Sequence, residues 1–160
     1  MPRRLLRDGQ VVDDDWSYLA DAQGDAASLI LSYAEWQSQP DVWSQRGGRL
    51  GVVLSPNHPV KLLTPHFSRF SLIGLEFSGP SEGRGYSQAC VLRDQWTFGG
   101  ELRATGYVHR DQVFFMARCG FNSFELPEAD LGRTSTALSS FSWAYQPSND
   151  AGLPLKLRRR

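Results

Sequence analysis

The stretch that decides the fold is residues 83–126, GRGYSQACVLRDQWTFGGELRATGYVHRDQVFFMARCGFNSFEL. Its apolar residues change from helical spacing to a strand-like run and back, twice. That pattern predicts a helix over 84–96, a strand over 101–105, a helix over 110–118 and a strand over 121–126. So tight an alternation predicts a parallel α/β sheet, since parallel neighbours need a crossover and a helix usually supplies it. Gly99-Gly100 turn the chain into its strand, and Gly120 stands where a helix end favours a left-handed residue.

The pattern continues upstream. Leu72 to Phe77, LIGLEF, predicts a strand in which Gly74 signals close approach of a neighbouring element. Arg49 to Ser55, RLGVVLS, predicts a central strand, because Val52-Val53-Leu54 does not alternate and so is covered on both faces. Leu29, Ile30 and Leu31 suit a first buried strand. A helical segment follows over 33–45, in which Pro40 starts a second short helix and Gly47-Gly48 ends it. Residues 56–70 predict a helical connection broken by Pro59 and Pro65. Downstream, residues 128–140 predict a helix and 143–146 a short terminal segment.

The ends carry less pattern. Residues 1–27 predict an irregular or hairpin-like lead, with Asp8-Gly9 as a turn and Asp13 to Asp15 as a solvated acidic run. Residues 147–160 predict a flexible tail. The expectation is a single α/β domain over 1–160, with four to five mostly parallel strands alternating with helices. Two architectures fit that description: a flavodoxin-like open sheet, or a partial β/α barrel. A complete barrel needs about 250 residues, so a fragment would leave a sheet edge that a homodimer could cover.

The totals narrow the function. The chain has 160 residues, enough for one ordinary core, and balances 17 Lys and Arg against 17 Asp and Glu. Without a global field, nucleic acid and anionic membrane are not expected partners. The longest apolar run, residues 113–117, is far short of a membrane span, and the arginines near the start are not followed by the apolar stretch of a secretory signal. Cytoplasmic localisation is expected. No Gly-x-Gly-x-x-Gly follows a strand, and there is no Walker sequence, Gly-x-Ser-x-Gly elbow or His-Glu-x-x-His. No cofactor is identified from motifs, and His58 and His66 have no third ligand at a metal-binding spacing.

In such a fold ligands bind beyond the carboxyl ends of the strands. Those positions hold Ser55, Asn57 and His58; then Ser78, Glu82, Gly83, Arg84 and Gly85; then Tyr107, His109, Arg110 and Asp111. The sharpest proposal is an anion site at Gly83, Arg84, Gly85 and Ser87, where glycines let the backbone approach, a helix start offers N–H groups and Arg84 adds a planar fork. The competing reading has the glycines serving a turn and Arg84 pairing with Glu82 or Glu76. Arg110, Asp111 and Cys119 are further catalytic candidates. Asp111 also reads as a first-turn acid complementing the helix dipole. Arg118 beside Cys119 favours thiolate, whereas the helix end disfavours it. Cys90 and Cys119 both read as small apolar residues within helices. Glu76 and Glu125 read either as an acid–base pair or as strand acids paired with Arg103.

At GRGYSQACVLRDQW, GELRATG and RDQVFFMARCGFNSFEL the chain resembles an uncharacterised bacterial domain-of-unknown-function family. The likeness extends through LILSYAEWQ and GGRLGVVLS and covers most of residues 3–146. Members are commonly encoded beside assimilatory sulfite reductase and are often labelled oxidoreductases of sulfite reduction. Gly83, Arg84, Gly85, Tyr86 and Ser87 match the family pattern, as do Arg103, Gly106, Arg110, Asp111, Gln112, Arg118, Cys119, Gly120 and Phe121. Two positions depart: Glu82 stands where an aspartate is usual, and Tyr107 where an acid is usual. The resemblance implies a place in sulfite reduction, and the missing cofactor motifs point to an accessory or adaptor protein that contacts sulfite reductase, its electron donor or a small oxyanion. The alternative is a small oxidoreductase or other enzyme acting on a sulfur-containing or phosphorylated anion.

Overall fold

The computed structural model describes residues 3–140. The segment expected over 143–146 and the tail over 147–160 lie outside the described residues. Eight strands form one sheet in the order β2-β1-β8-β7-β6-β5-β4-β3. They are β1 (Arg4–Arg7), β2 (Gln10–Asp13), β3 (Ser17–Tyr18), β4 (Ser28–Ser32), β5 (Arg49–Leu54), β6 (Leu72–Phe77), β7 (Glu101–Gly106) and β8 (Ser123–Phe124). Strands β3 to β8 pair in parallel in sequence order, while β1 is antiparallel to both β8 and β2.

Two expectations are corrected here. Among the described residues there are eight strands rather than four or five, because the lead contains three: the Asp8-Gly9 turn closes the β1–β2 hairpin, with both residues at positive φ, and β3 joins the far side of the sheet. The parallel strands also advance in one direction without a reversal, which a flavodoxin-like sheet requires.

The helices follow the sequence reading closely. α1 (Tyr33–Ser38) opens with a capping box between Ser32 and Glu35, and Pro40 is the first residue of α2 (Pro40–Gln45). The connection broken by two prolines is a 3₁₀ helix over Val60–Arg69. α3 (Arg84–Cys90) loosens into a π turn over Val91–Gln95. α4 (Arg110–Cys119) ends at Gly120, whose φ of 118° is the left-handed cap the sequence implies. α5 is Glu128–Ser139.

Alternation divides the sheet into two faces. Leu29, Leu31, Leu50, Val52, Leu54, Ile73, Leu75, Phe77, Leu102, Ala104 and Phe124 pack with Trp36, Leu63, Ala89, Leu92, Val113, Met116 and Leu131 in the main core. Their alternates form the opposite face, where Trp16, Ile30 and Leu72 make a second apolar cluster beside Tyr18 and Val53. The sheet curls around this second face. In a flat sheet β3 and β8 would lie about 24 Å apart, five strand spacings. Yet the Tyr18 hydroxyl donates to Glu125 Oε1 at 2.7 Å. The guanidinium of Arg3, just before β1, likewise lies 4.7 Å from the centre of the Tyr18 ring.

Candidate functional site

Two polar regions result: the inside of the curl, and the rim at the carboxyl ends of the parallel strands. Register arranges the inside in layers. Tyr18, Ile30, Gly51, Leu72 and Glu101 lie in one row; Ser32, Val53, Gly74, Arg103, Ser123 and Arg7 lie in the next; Glu76, Thr105 and Glu125 come nearest the carboxyl end. Glycine is needed at Gly74, where a Cβ would stand 2.7 Å from Val53 Cγ2. The missing side chain gives the neighbouring strand's chain its room.

Arg103 anchors the interior, with its side chain 0% exposed. It donates to Asp14, Glu101 and Glu125, and reaches Asp14 through Nη1 to Oδ2 and Nη2 to Oδ1, both at 2.9 Å. Such a fork-to-fork pair satisfies a planar cation without solvent. Residues 14–16 cross from the β2 edge toward β3 beneath this face, and Trp16 donates its indole N–H to Glu101 Oε2 at 3.2 Å. On the outer side of Trp16 lies the Arg49 guanidinium, 4.6 Å from the ring centre. Burial alone would push the Asp14 carboxyl up, but hydrogen bonds and charge from Arg103, together with Arg3, hold it below the usual carboxylate range. Burial raises the Tyr18 hydroxyl, and the Glu125 carboxylate raises it further.

This network corrects the reading of residues 13–15 as a solvated acidic run. Asp13 and Asp15 are exposed, but the Asp14 side chain is 1% exposed because Arg103 and Arg3 converge on it. Glu125 is the strand acid paired with Arg103, as one alternative had it. Glu76 is instead exposed at the end of β6, two strands away, so the two carboxylates are not a contacting pair. Asp14, Trp16, Tyr18 and Glu101 were missed by sequence reasoning. The available signal was β7 itself, where Glu101, Arg103 and Thr105 alternate with Leu102 and Ala104 and so define a polar inner face.

At the rim, parallel register puts the three candidate loops at one end of the sheet. Within each loop some polar groups pair locally. Ser55 Oγ and His58 Nδ1 are 2.8 Å apart, while His58 lies against Tyr33 and His66 against Trp36. The Arg84 side chain makes two bonds of 2.9 Å to Glu82, which also accepts from the Arg84 N–H at 3.0 Å. Those bonds, with the Arg84 charge, hold the Glu82 carboxyl down to about 2. Gly83 and Ser87 are exposed, but Gly85 is buried against Phe77, where a Cβ would stand 2.6 Å from Cζ. Thus one glycine of the expected anion loop serves helix-on-sheet packing. The structure places Gly83, Arg84, Gly85 and Ser87 together at the start of α3, with Glu82 on the guanidinium.

Tyr107 and His109 stack at 4.9 Å between ring centres, and both are exposed. Arg110 and Asp111 open α4 on the surface, 3.8 Å apart. They also line a groove of about 460 Å³ between α4 and α5, together with Phe114, Arg133, Thr134 and Leu138. Cys119 lies away from that rim, at the far end of α4. Its thiol is pushed up to about 11 by burial first and by Cys90 second, outweighing the opposite pull of Arg118. Among the described residues no group of three His, Cys, Asp or Glu side chains is arranged to hold a metal ion, and no helix is long and apolar enough to cross a membrane.

No curated protein matches the chain. A family model does, over residues 51–156, which includes most of β5, all of β6 to β8 and every rim candidate from Ser55 onward. The chain therefore belongs to the family described as bacterial protein of unknown function, DUF934.

Proposed function

We propose that the protein is a cytoplasmic accessory or adaptor protein of assimilatory sulfite reduction that docks on sulfite reductase or its electron donor through the carboxyl-end rim. The pathway comes from the resemblance of residues 83–126 and their flanks to proteins encoded beside that enzyme. The docking role comes from the rim. Ser55 with His58 and Arg84 with Glu82 are engaged within their own loops, while large side chains suited to a protein interface face outward. Tyr107 is 39% exposed and Phe115, on α4, is 56% exposed. Arg84 and Arg110 stand on the same pair of packed helices. Exposed aromatic and arginine side chains are the residues that most often dominate binding energy at interfaces.

A deletion strain grown on sulfate or sulfite as the sole sulfur source tests this reading. Slow growth, restored by the wild-type gene and not by the Tyr107→Ala/Arg110→Ala double variant, is expected. Growth unaffected by deletion under every electron donor would contradict it.

One observation favours the second reading, an enzyme acting on a sulfur-containing or phosphorylated anion: Arg110 and Arg133 both border the groove between α4 and α5. In that case a double Arg110→Ala/Arg133→Ala variant loses saturable anion binding and retains its protein partner.

A further inference from the structure

α3 and α4 are successive crossover helices on one face of a parallel sheet, so they run side by side in the same direction. Their contacts fall in register. The rings of Tyr86 and Phe115 meet with centroids 5.3 Å apart. Four residues further along each helix, one turn on, stand Cys90 and Cys119, and Cys90 helps to push the Cys119 thiol up. Beyond them Arg93 donates Nε to the Gly120 carbonyl at 2.9 Å, and its Nη1 reaches the Phe98 and Gly100 carbonyls. Gly120 must be a glycine there, since a Cβ would stand 2.5 Å from Arg93 Cγ. The two cysteines therefore lie at matching positions on the packed helices, between an aromatic contact and a guanidinium clamp. Neither cysteine is in a disulfide and both are half-buried, so a small reagent can reach them.

We infer that Cys90 and Cys119 are a redox pair that closes to a reversible intramolecular disulfide. Closure brings the two sulfurs to the S–S bond length of about 2 Å. The π turn directly after Cys90 is a wider, less regular stretch of backbone that can absorb such a shift. The oxidant is a low-molecular-weight disulfide. One cysteine, as thiolate, attacks a sulfur of that disulfide and expels the first small thiol; the other then attacks the protein sulfur of the mixed disulfide and expels the second. Two electrons and the two thiol protons pass to the two released small thiols, and one S–S bond replaces another. Cys119 has its thiol pushed up by burial and by Cys90, so exchange through it is slow at neutral pH and quickens as pH rises. Closure ties together the ends of the two helices whose opposite ends carry Arg84 and Arg110.

The test is equilibration of the purified chain with mixtures of oxidised and reduced glutathione, followed by acid quenching, alkylation and intact mass measurement, folded and in guanidinium chloride. The expected result is loss of both thiols together, a mass decrease of about 2 Da, no retained glutathione and reversal by dithiothreitol. The folded chain should close at an oxidised-to-reduced ratio about 100-fold lower than the unfolded chain, since the fold raises the effective concentration of one thiol at the other. Cys90→Ser and Cys119→Ser should each retain one glutathione. Stable glutathione adducts on wild type, thiols unchanged at the ratio that closes the unfolded chain, or equal closure in both states would overturn the pair.

Discussion

Arg103 and Asp14 meet through two parallel hydrogen bonds of 2.9 Å although they are 89 residues apart in sequence. Arg103 projects from β7 into the curl, and Asp14 belongs to the segment that crosses beneath it. The pair joins the lead of the chain to the centre of the parallel sheet and helps fix how far the sheet curls. Glu101 and Glu125 complete the neutralisation of Arg103 from the same strand and its neighbour.

Arg103→Met should cost about 3–5 kcal/mol at neutral pH, because it leaves a buried carboxylate and two half-buried ones without their cation. Urea unfolding followed by tryptophan fluorescence checks this. Asp14→Asn in the same background should recover part of the loss. If the single substitution is neutral, the network does not hold the lead to the sheet.

Acid should weaken the fold within a defined window. The folded pKa of Asp14 is depressed despite its burial, and that of Asp15 is held down to about 2, where hydrogen bonds from Arg49 and Arg7 outweigh desolvation. Unfolded aspartates titrate at about 3.9. Their contribution is therefore complete above the unfolded value and is lost as pH falls through the folded one. Stability should be level from about pH 7 to pH 5 and fall from about pH 4 towards pH 2. Asp14→Asn should flatten that descent. At the alkaline end, the raised Tyr18 contributes stability that is fully present below about pH 10 and lost above it, and Tyr18→Phe should remove that loss.

Gly85→Ala tests whether the glycine of the rim loop serves packing. The added methyl meets the Phe77 ring on the main core face, so a loss of about 1–3 kcal/mol is expected from overpacking. Calorimetry should show a lowered Tm. An unchanged Tm would leave the glycine free for another role, including close approach of a ligand.

Glu82→Gln tests the anion-loop reading. Glu82 occupies the guanidinium of Arg84, so an incoming anion must displace it. Isothermal titration with sulfite, sulfate and phosphate should show tighter binding to Glu82→Gln than to wild type, and none to Arg84→Ala. Equal, absent binding in all three proteins would remove the loop from the list of anion sites.

What was legible in the sequence follows from range. The continuous apolar runs of β5 and β6, the entry of Pro40 into α2 and the Gly120 cap on α4 depend on neighbouring residues and on burial from both faces, and each was readable. In the lead, Asp8-Gly9 marked the turn of a hairpin-like segment, but the extents of β1 and β2 and the whole of β3 were not readable. β3 is only two residues long and takes its hydrogen bonds from β4, and Asp14 reads as solvent-facing until Arg103 is brought to it by the curl. The same holds for the rim. Its loops could be placed at one end of the sheet from the order of elements, and Glu82 was one of the two acids the sequence offered to Arg84, but the packing of Gly85 on Phe77 and the approach of Cys90 to Cys119 depend on side-chain geometry between separate elements.

The most direct measurement is titration of purified sulfite reductase, and separately of its electron donor, with this chain, comparing wild type with the Tyr107→Ala/Arg110→Ala variant. The account predicts saturable binding of wild type to one of the two, weakened at least about tenfold in the variant while its Tm is unchanged. Absence of binding to both, alongside saturable binding of a small anion, would contradict it and assign the rim and the groove beside it to chemistry on that anion.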